Sequence, residues 1–163
     1  MIHVLFVCLG NICRSPMAEA IFRDLVAKEG LNDRIKVDSA GIGHWHVGDL
    51  PHEGTRRILD EYGIAHEGIL SRQVNEADWD QFQYIIGMDN KNIDDLLSIR
   101  DDENVFVGRL LDFVEEVGDK DIPDPYFTGK FDAVYSLVSE GCQQLLNKIK
   151  HEHDLSEGGI SYG

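Results

Sequence analysis

The hydrophobic and polar residues of the chain alternate between short apolar runs and longer stretches with the spacing of amphipathic helices. The apolar run at residues 2–7 ends in a turn that contains glycine and asparagine, which is typical of a strand buried on both faces. Ile35 and Val37 alternate with polar residues and predict a second strand. Two further buried strands are predicted at residues 84–88 and 105–107.

Helices are predicted between and after these strands. Ser15 can cap the first helix, Pro16 suits its first position, and Gly30 stops it. The later predicted helices cover residues 52–62, a segment capped by Asp89 or Asn90 that ends at about Ile99, and a final segment from Thr128 to about Lys150.

Strands that alternate with helices need crossover connections, which produce a mostly parallel sheet with helices on both faces. The sequence therefore predicts a three-layer α/β fold. It shows no repeat, low-complexity segment or linker, so we expect residues 1–150 to form a single domain and residues 151–163 to be a polar, frayed tail. Ligands of such sheets bind at the carboxyl ends of the strands, where the loop after the first strand lies.

The charge of the chain, taken alone, argues against a phosphate-binding function. The 163 residues include 30 acidic and 15 basic side chains, which gives a net charge of −15. With no basic stripe to neutralise phosphates, binding to nucleic acids or to anionic membranes is disfavoured. The 42% hydrophobic content is that of an ordinary globular protein.

The cysteines and the N-terminus indicate a reducing compartment. The N-terminal apolar run is one strand long and lacks the pattern of a signal peptide or a membrane span. Three cysteines, at positions 8, 13 and 142, form too sparse and odd a set for a disulfide framework. We expect a cytoplasmic protein, with export without a signal peptide left open. No cysteine or histidine group has the spacing of a structural zinc site, so no metal is expected.

The loop after the first strand has the composition of an anion-binding loop. It runs Cys-Leu-Gly-Asn-Ile-Cys-Arg-Ser over residues 8–15. A strand-to-helix loop of this kind turns successive backbone N–H groups toward one point and adds the positive end of the helix dipole. Gly10 and Asn11 tolerate the left-handed conformations that this turn needs. The expected contributors of N–H groups are Leu9, Gly10, Asn11, Ile12 and Cys13.

Cys8 and Arg14 add a nucleophile and a cation to this loop. The guanidinium of Arg14 suits bidentate contact with two oxygens of a tetrahedral oxyanion. The Cys8 thiol lies in the same positive field and is expected to be a thiolate near neutral pH, with the Ser15 hydroxyl as a donor to the sulfur. A nucleophile beneath a phosphate implies attack on phosphorus and a cysteinyl-phosphate intermediate. The alternative, small core cysteines and a surface arginine, fits less well between a buried strand and a helix.

Cleavage of a phosphate ester also needs a proton donor for the departing oxygen. Pro123 and Pro125 stiffen the chain on both sides of Asp124, so its carboxyl can project from a loop toward the thiolate. A neighbouring anion would keep this carboxyl protonated for the first step, after which it can act as the base on water. Asp121 is the competing candidate, and a simple Asp-Pro turn is the alternative without function.

Three segments of the chain together resemble the low-molecular-weight protein tyrosine phosphatases. They are Val-Leu-Phe-Val-Cys-Leu-Gly-Asn-Ile-Cys-Arg-Ser-Pro-Met-Ala-Glu-Ala at residues 4–20, Asp-Ser-Ala-Gly at residues 38–41, and Asp-Pro-Tyr at residues 124–126. The resemblance extends to about residue 150. It implies a flavodoxin-like fold with a four-stranded parallel sheet and a two-step phosphatase that uses neither a metal nor a cofactor.

The same resemblance implies roles for individual residues. By the family's pattern, Cys8 is the nucleophile, Arg14 binds phosphate, Asp124 is the general acid and base, Asn11 holds the loop conformation, Ser15 orients the sulfur, and His66 is a partner of Asn11. Without the family, His66 is an ordinary surface histidine.

The substrate class depends on the walls of the site. Trp45, in the glycine-rich loop at residues 40–51, and Tyr126 are expected to face each other across the loop and form a deep aromatic slot. A deep slot favours phosphotyrosine, because the shorter phosphoserine ester cannot bring its phosphate to the bottom. Phe127 departs from family members with two adjacent tyrosines, which puts regulation through a second tyrosine in doubt.

Three rival functions share parts of this pattern. Protein-arginine phosphatases have the same scaffold, but similar enzymes have threonine where Ile12 stands. Arsenate reductases relay oxidation through two further cysteines, and only Cys142 lies downstream here. A phosphate-binding module without catalysis would not need Cys8, Arg14 and Asp124 together.

Two further expectations concern regulation and partners. Cys13 can form a disulfide with Cys8 if their Cα atoms approach within about 7 Å, and the resemblance to members with this pair supports the idea; a reduced buried thiol is the alternative. The negative surface should favour phosphotyrosine proteins or peptides that are not strongly acidic, because distant surface charges steer encounter while leaving the loop's local field intact. A monomer or weak dimer is expected.

Overall fold

A four-stranded parallel sheet positions the rest of the chain. The computed structural model describes residues 1–155. The strands are β1 (Ile2–Cys8), β2 (Ile35–Gly41), β3 (Tyr84–Gly87) and β4 (Phe106–Arg109), and they lie side by side in the order β2-β1-β3-β4. The α/β, flavodoxin-like architecture predicted from the sequence is confirmed.

Helices cover both faces of this sheet. They are α1 (Arg14–Lys28), α2 (Glu53–Glu61), α3 (Asp78–Gln81), α4 (Asn90–Ile99), α5 (Pro125–Thr128) and α6 (Phe131–Glu152), with a 3₁₀ helix at Leu110–Phe113. None of these helices, within residues 1–155, is long and apolar enough to cross a membrane.

The central strand β1 is buried on both faces, as its apolar run predicts. Val4 and Phe6 face a large core that includes residues of α1 and α6. Leu5 and Val7 face a smaller core on the opposite side with Ile85. Because β1 has neighbours on both edges and cores on both faces, its carboxyl end is held on every side.

The start of α1 differs from the prediction that Ser15 caps it. The helix begins at Arg14, and Cys13 stands at the cap position without a side-chain hydrogen bond. Ser15 lies inside the first turn with its hydroxyl beside Cys8 instead. A serine before a proline signals a cap from local sequence alone, but here the hydroxyl lies beside the Cys8 sulfur, which is the other contact expected of Ser15.

The final helical segment is two helices rather than one helix from Thr128. Asp124 caps the short α5, and Gly129 ends it in the left-handed conformation with φ 71°. The longer α6 then continues to Glu152, close to the predicted end. Of the predicted tail at residues 151–163, residues 156–163 lie outside the described part of the chain.

We predict that Gly129→Ala destabilises the fold by about 1–2 kcal/mol, because an alanine in the left-handed conformation brings its Cβ too close to the backbone. Gly118→Ala is the matched control: both glycines are exposed and have open space where a Cβ would stand, but only Gly129 has a positive φ. Urea unfolding of both variants measures the difference. Equal effects at the two positions would contradict the assignment of strain to Gly129.

Candidate active site

The site lies at the carboxyl end of β1, as the topology predicts. Cys8 is the last residue of β1, paired with Gly41 at the end of β2. Loop 9–13 follows it, and α1 begins at Arg14. Asp89, just after β3, and Asp124, at the start of α5, complete the surroundings. The ends of three strands and the starts of three helices, α1, α4 and α5, therefore meet around Cys8 and Arg14.

The sulfur of Cys8 is buried and contacts a hydroxyl. Cys8 is 3% exposed, and its Sγ lies 3.0 Å from the Oγ of the fully buried Ser15. Ser15 Oγ in turn accepts a hydrogen bond from the Asn11 amide at 2.8 Å. The oxygen accepts from Asn11, so the serine O–H can donate, either to the sulfur at 3.0 Å or to the more distant Ala40 carbonyl at 3.5 Å.

Asn11 fixes the loop from its centre. Its backbone is left-handed, with φ 56°, a conformation that asparagine adopts more readily than most residues. Its Nδ2 also donates to Ser39 Oγ at 3.0 Å, and its Oδ1 accepts from the backbone N–H of Arg72 at 3.0 Å. The Asn11 amide is thus held by partners from β2 and from the segment before α3.

The prediction that His66 is the partner of Asn11 is wrong. His66 Nε2 lies 2.8 Å from Asp60 Oδ1, a pair on a partly exposed surface. Ser39 and the backbone of Arg72 hold the Asn11 amide instead. The sequence around residue 66 is weakly distinctive, so the resemblance to the family had little to identify the partner by.

The carbonyl groups of the loop are used by neighbouring segments. The acceptors are the carbonyl oxygens of Cys8, Leu9, Gly10, Ile12 and Cys13, and the donors are the N–H groups of Ile42, Gly43 and His52 and the hydroxyls of Ser71 and Thr55. Their distances are 2.7–3.2 Å. In contrast, within residues 1–155 none of the N–H groups of residues 9–13 donates to a protein acceptor. A row of unpaired donors around a thiol is an arrangement that an anion satisfies.

Arg14 is buried beside the loop. It is 2% exposed, and its Nη1 donates to Asp89 Oδ2 at 2.7 Å and to the carbonyl of Ile122 at 2.8 Å. Its buried Nε has no partner among the described residues. Burial alone would lower the pKa of this guanidinium, but its interactions with Cys8, Asp89 and Asp124 outweigh burial and raise the pKa. The side chain is therefore a fixed cation that keeps one unpaired N–H donor, at Nε.

Asp124 reaches the same pocket, whereas Asp121 does not. Asp124 Oδ1 accepts from the Tyr126 N–H at 3.0 Å, and its Oδ2 lies 3.6 Å from Arg14 Nη2. Asp121 instead accepts from the Asn90 N–H and pairs with Arg109 at 3.1 Å. Of the two candidates raised by the sequence, only Asp124 lines the pocket that Cys8 lines.

The pocket above the thiol has a volume of about 240 Å³. Its lining consists of Cys8, Leu9, Gly10, Ile12, Cys13, Trp45, His46, Asp124, Tyr126 and Phe127. Trp45 and Tyr126 are 65% and 52% exposed, so the two predicted wall residues stand at the mouth and leave their rings open to a ligand. Between residues 1 and 155 no group of three or more potential metal ligands occurs.

Cys13 is a buried thiol close to this pocket. Burial is the main cause that raises its pKa to about 12, and the neighbouring Cys8 and Asp124 act in the same direction. The cysteines at 8, 13 and 142 are all free in the structure.

A buried acid that no sequence pattern indicates connects to the loop. Glu19, 7% exposed on α1, accepts a hydrogen bond from Ser39 Oγ at 2.6 Å, and Ser39 is the residue that accepts from Asn11. Burial raises the pKa of Glu19 to about 7, against the opposing effect of the Ser39 hydrogen bond. The sequence also predicts Asp89 only as a helix cap, not as the partner of Arg14. Both contacts join residues far apart in sequence, so no local spacing reveals them.

Comparisons with known proteins agree with this architecture. Residues 3–155 match the family model described as low molecular weight phosphotyrosine protein phosphatase. The chain is 58% identical over 156 residues to low molecular weight protein-tyrosine-phosphatase YfkJ of Bacillus subtilis. The match covers 95% of this chain and 100% of YfkJ. The chain is 45% identical over 157 residues to the phosphatase PtpA of Staphylococcus epidermidis, with 96% and 99% covered.

Solved structures give the same result. The crystal structure of YfkJ superimposes with a TM-score of 0.91 over 93% of this chain and 96% of that one, at 58% identity. A Drosophila arginine phosphatase superimposes with a TM-score of 0.82 at 38% identity, over 90% and 97% of the two chains. The fold is that of the small protein tyrosine phosphatases. The chain belongs to the low molecular weight protein-tyrosine-phosphatase family.

We predict that Glu19 makes stability depend on pH. Because its pKa is raised in the folded state, from 4.5 to about 7, the folded protein binds this proton more tightly than the unfolded chain does. The resulting stabilisation is complete below pH 4.5 and is lost as the pH rises through 7. Removal of the carboxylate in Glu19→Gln should therefore reduce the fall in unfolding free energy between pH 5 and pH 8 by on the order of 2–3 kcal/mol.

Urea unfolding at the two pH values measures this difference. Glu61→Gln, at an exposed position on α2, is the control and should leave the fall unchanged. If the unfolding free energy of Glu19→Gln falls between pH 5 and pH 8 as much as that of the wild type, the raised pKa of Glu19 in the folded state is ruled out.

Proposed function

We propose that this protein hydrolyses phosphotyrosine in proteins or peptides through a cysteinyl-phosphate intermediate. The observation that carries the proposal is the set of unpaired donors around the Cys8 sulfur, namely the N–H groups of residues 9–13 and the buried Arg14 Nε. Membership of the phosphatase family makes phosphoproteins the substrate class. A thiol at the centre of an anion site is placed to attack phosphorus.

In the first step the loop binds the phosphate and Cys8 attacks it. The three non-bridging oxygens accept hydrogen bonds from the loop N–H groups and from Arg14, whose fixed charge balances the phosphate. The Cys8 sulfur forms a bond to phosphorus as the bond from phosphorus to the tyrosyl oxygen breaks. Asp124 gives its proton to that oxygen, so the leaving group departs as neutral tyrosine rather than as a phenolate.

In the second step water releases the phosphate. Asp124, now a carboxylate, takes a proton from a water molecule that attacks phosphorus, and the bond between sulfur and phosphorus breaks. The Ser15 hydroxyl, 3.0 Å from the sulfur, stabilises the departing thiolate by donating to it. Inorganic phosphate then leaves. All positive charge in both steps comes from Arg14 and the loop dipoles, so we propose that the reaction needs no metal or cofactor.

Trp45 and Tyr126 favour an aryl phosphate. Their exposed rings flank the pocket mouth, where they can pack against both sides of a tyrosine ring. Phosphoarginine is the second candidate, because a structural relative is named an arginine phosphatase. Ile12, an apolar residue that lines this pocket, offers no hydroxyl to a phosphoramidate and therefore favours phosphotyrosine.

The setting of the enzyme is also part of the proposal. Residues 1–150 act as one catalytic domain, which works as a monomer or weak dimer in the cytoplasm. The net charge of −15 disfavours strongly acidic substrates. The same negative charge disfavours binding to nucleic acids and to anionic membranes.

We expect Cys8→Ser to abolish hydrolysis of an aryl phosphate, because serine has no thiolate to attack phosphorus. Asp124→Asn should lower kcat by about 10²–10⁴-fold with little change in KM, because the amide cannot donate the proton. Asp121→Asn, a neighbouring carboxylate outside the pocket, is the matched control and should keep kcat within about twofold of the wild type. Full activity in Cys8→Ser, or equal losses at 121 and 124, would contradict the mechanism. The assay is steady-state turnover in the presence of a chelator.

A peptide panel tests the substrate class. Matched peptides that carry phosphotyrosine or phosphoarginine, each with acidic or basic flanking residues, are compared by kcat/KM. We expect phosphotyrosine to be preferred, and basic flanks to be better than acidic ones at low salt, with the flank preference lost at high salt because screening shortens the reach of surface charge. A preference for phosphoarginine would support the second candidate. A flank preference that persists at high salt would contradict steering by net charge.

A further inference from the structure

One histidine joins the phosphate loop to the aromatic wall of the pocket. His52 precedes α2, and its backbone N–H donates to the carbonyl of Ile12 at 2.7 Å. This hydrogen bond ties the start of α2 directly to the phosphate loop. His52 is partly buried and does not line the pocket, so it has no place in the mechanism described above.

The imidazole of His52 also caps α2. Its Nδ1 accepts from the N–H of Gly54 at 2.9 Å. An acceptor nitrogen carries no proton, so this hydrogen bond leaves Nε2 as the donor nitrogen of the ring. Histidine is an uncommon choice for this task, because serine, threonine, aspartate and asparagine cap helices well with smaller side chains. The size of the ring therefore calls for a second explanation.

The ring itself lies between Phe131 and Tyr126. It is stacked on Phe131 at a centroid distance of 5.1 Å with 21° between planes, and it meets Tyr126 edge-on at 6.0 Å and 81°. Gly54 makes room for this arrangement, because a Cβ there would lie 2.5 Å from the Phe131 ring. The first residue of α6 thus supports a ring that in turn contacts the pocket wall.

Tyr126 has little else to hold it. It is 52% exposed, and the other aromatic ring that contacts it within the described chain belongs to Phe127, which is 75% exposed. An exposed ring without fixed neighbours samples several rotamers and loses that freedom when a ligand binds. The contact with His52 restricts the Tyr126 ring before the substrate arrives.

We propose that His52 is a positioning residue that holds Tyr126 as a preformed wall for the aryl group of the substrate. The inference rests on the proposed function, because it takes Tyr126 as a substrate contact. It assigns His52 to affinity for the aromatic ring and not to binding of phosphate or to the chemical steps. The helix cap and the wall are separate tasks of one side chain, so substitutions can separate them.

Two substitutions of His52 separate its tasks. His52→Asn keeps an acceptor for the Gly54 N–H but removes the ring. His52→Phe keeps a ring against Phe131 and Tyr126 but removes the acceptor. His151→Asn, at an exposed position on α6, controls for loss of a histidine elsewhere. For each protein we would measure kcat and KM for a phosphotyrosine peptide, the inhibition constant of inorganic phosphate, and Tm.

We expect His52→Asn to raise KM about two- to tenfold, the range of one aromatic pair, with kcat and the phosphate inhibition constant close to the wild type. We expect His52→Phe to have a KM near that of the wild type and a Tm lowered by about 2–4 °C through loss of the cap. The phosphate inhibition constant is the readout that damage to the loop would move and that loss of a wall would not.

A double variant tests whether the effect passes through Tyr126. In a Tyr126→Leu background, His52→Asn should produce no further rise in KM, because the ring it positions is absent. The proposal is overturned if His52→Asn leaves KM unchanged, if His52→Phe raises KM as much as His52→Asn, or if the rise persists without Tyr126. Lack of turnover in the wild-type protein would instead refute the proposed function, so the two failures are distinguishable.

Discussion

The site depends on one constraint, the left-handed turn at Asn11 that directs the carbonyl groups of the phosphate loop outward and leaves its N–H groups unpaired. The carbonyl oxygens of five residues accept hydrogen bonds from neighbouring segments, namely those of Cys8, Leu9, Gly10, Ile12 and Cys13. Asn11 is held by Ser15, Ser39 and the backbone of Arg72, so the strained position is fixed by the fold around it. The preformed loop can meet an anion without reorganising its dipoles at the moment of reaction.

This constraint explains how a chain with a net charge of −15 can bind phosphate. The loop uses backbone dipoles and one arginine, both within hydrogen-bond distance of the ligand, while surface carboxylates act from farther away through water and salt. Asp89 and Asp124 flank Arg14, fix its position and keep it charged. They do not use all of its N–H donors, because Nε stays unpaired among the residues that the structure describes. The net charge of the protein therefore influences which partners approach it, whereas the local geometry of the loop determines which group is bound.

The sequence predicted the features whose signals are local. Three of these signals each lie within a few residues of sequence: the apolar run of β1, the spacing of Cys8 and Arg14, and the prolines on both sides of Asp124. Together they predicted the α/β fold and where these side chains lie in it. The partners of Asn11 could not be predicted, because they are residues that the sheet brings together: Ser39 from β2 and Arg72 from the segment before α3. The same reason accounts for the wrong placement of His66 and for the missed Glu19, whose link to the loop runs through Ser39.

In the proposed mechanism, the Cys8 sulfur itself receives the phosphoryl group. The most direct test is to mix the protein with a phosphotyrosine peptide, quench the reaction with acid within milliseconds, and map the covalent adduct by mass spectrometry. We expect the mass of one phosphoryl group on the peptide that carries Cys8, present before the steady state and absent after the substrate is consumed. Turnover with no adduct on Cys8 at any time, or an adduct on another residue that forms and decays at the rate of turnover, would contradict it.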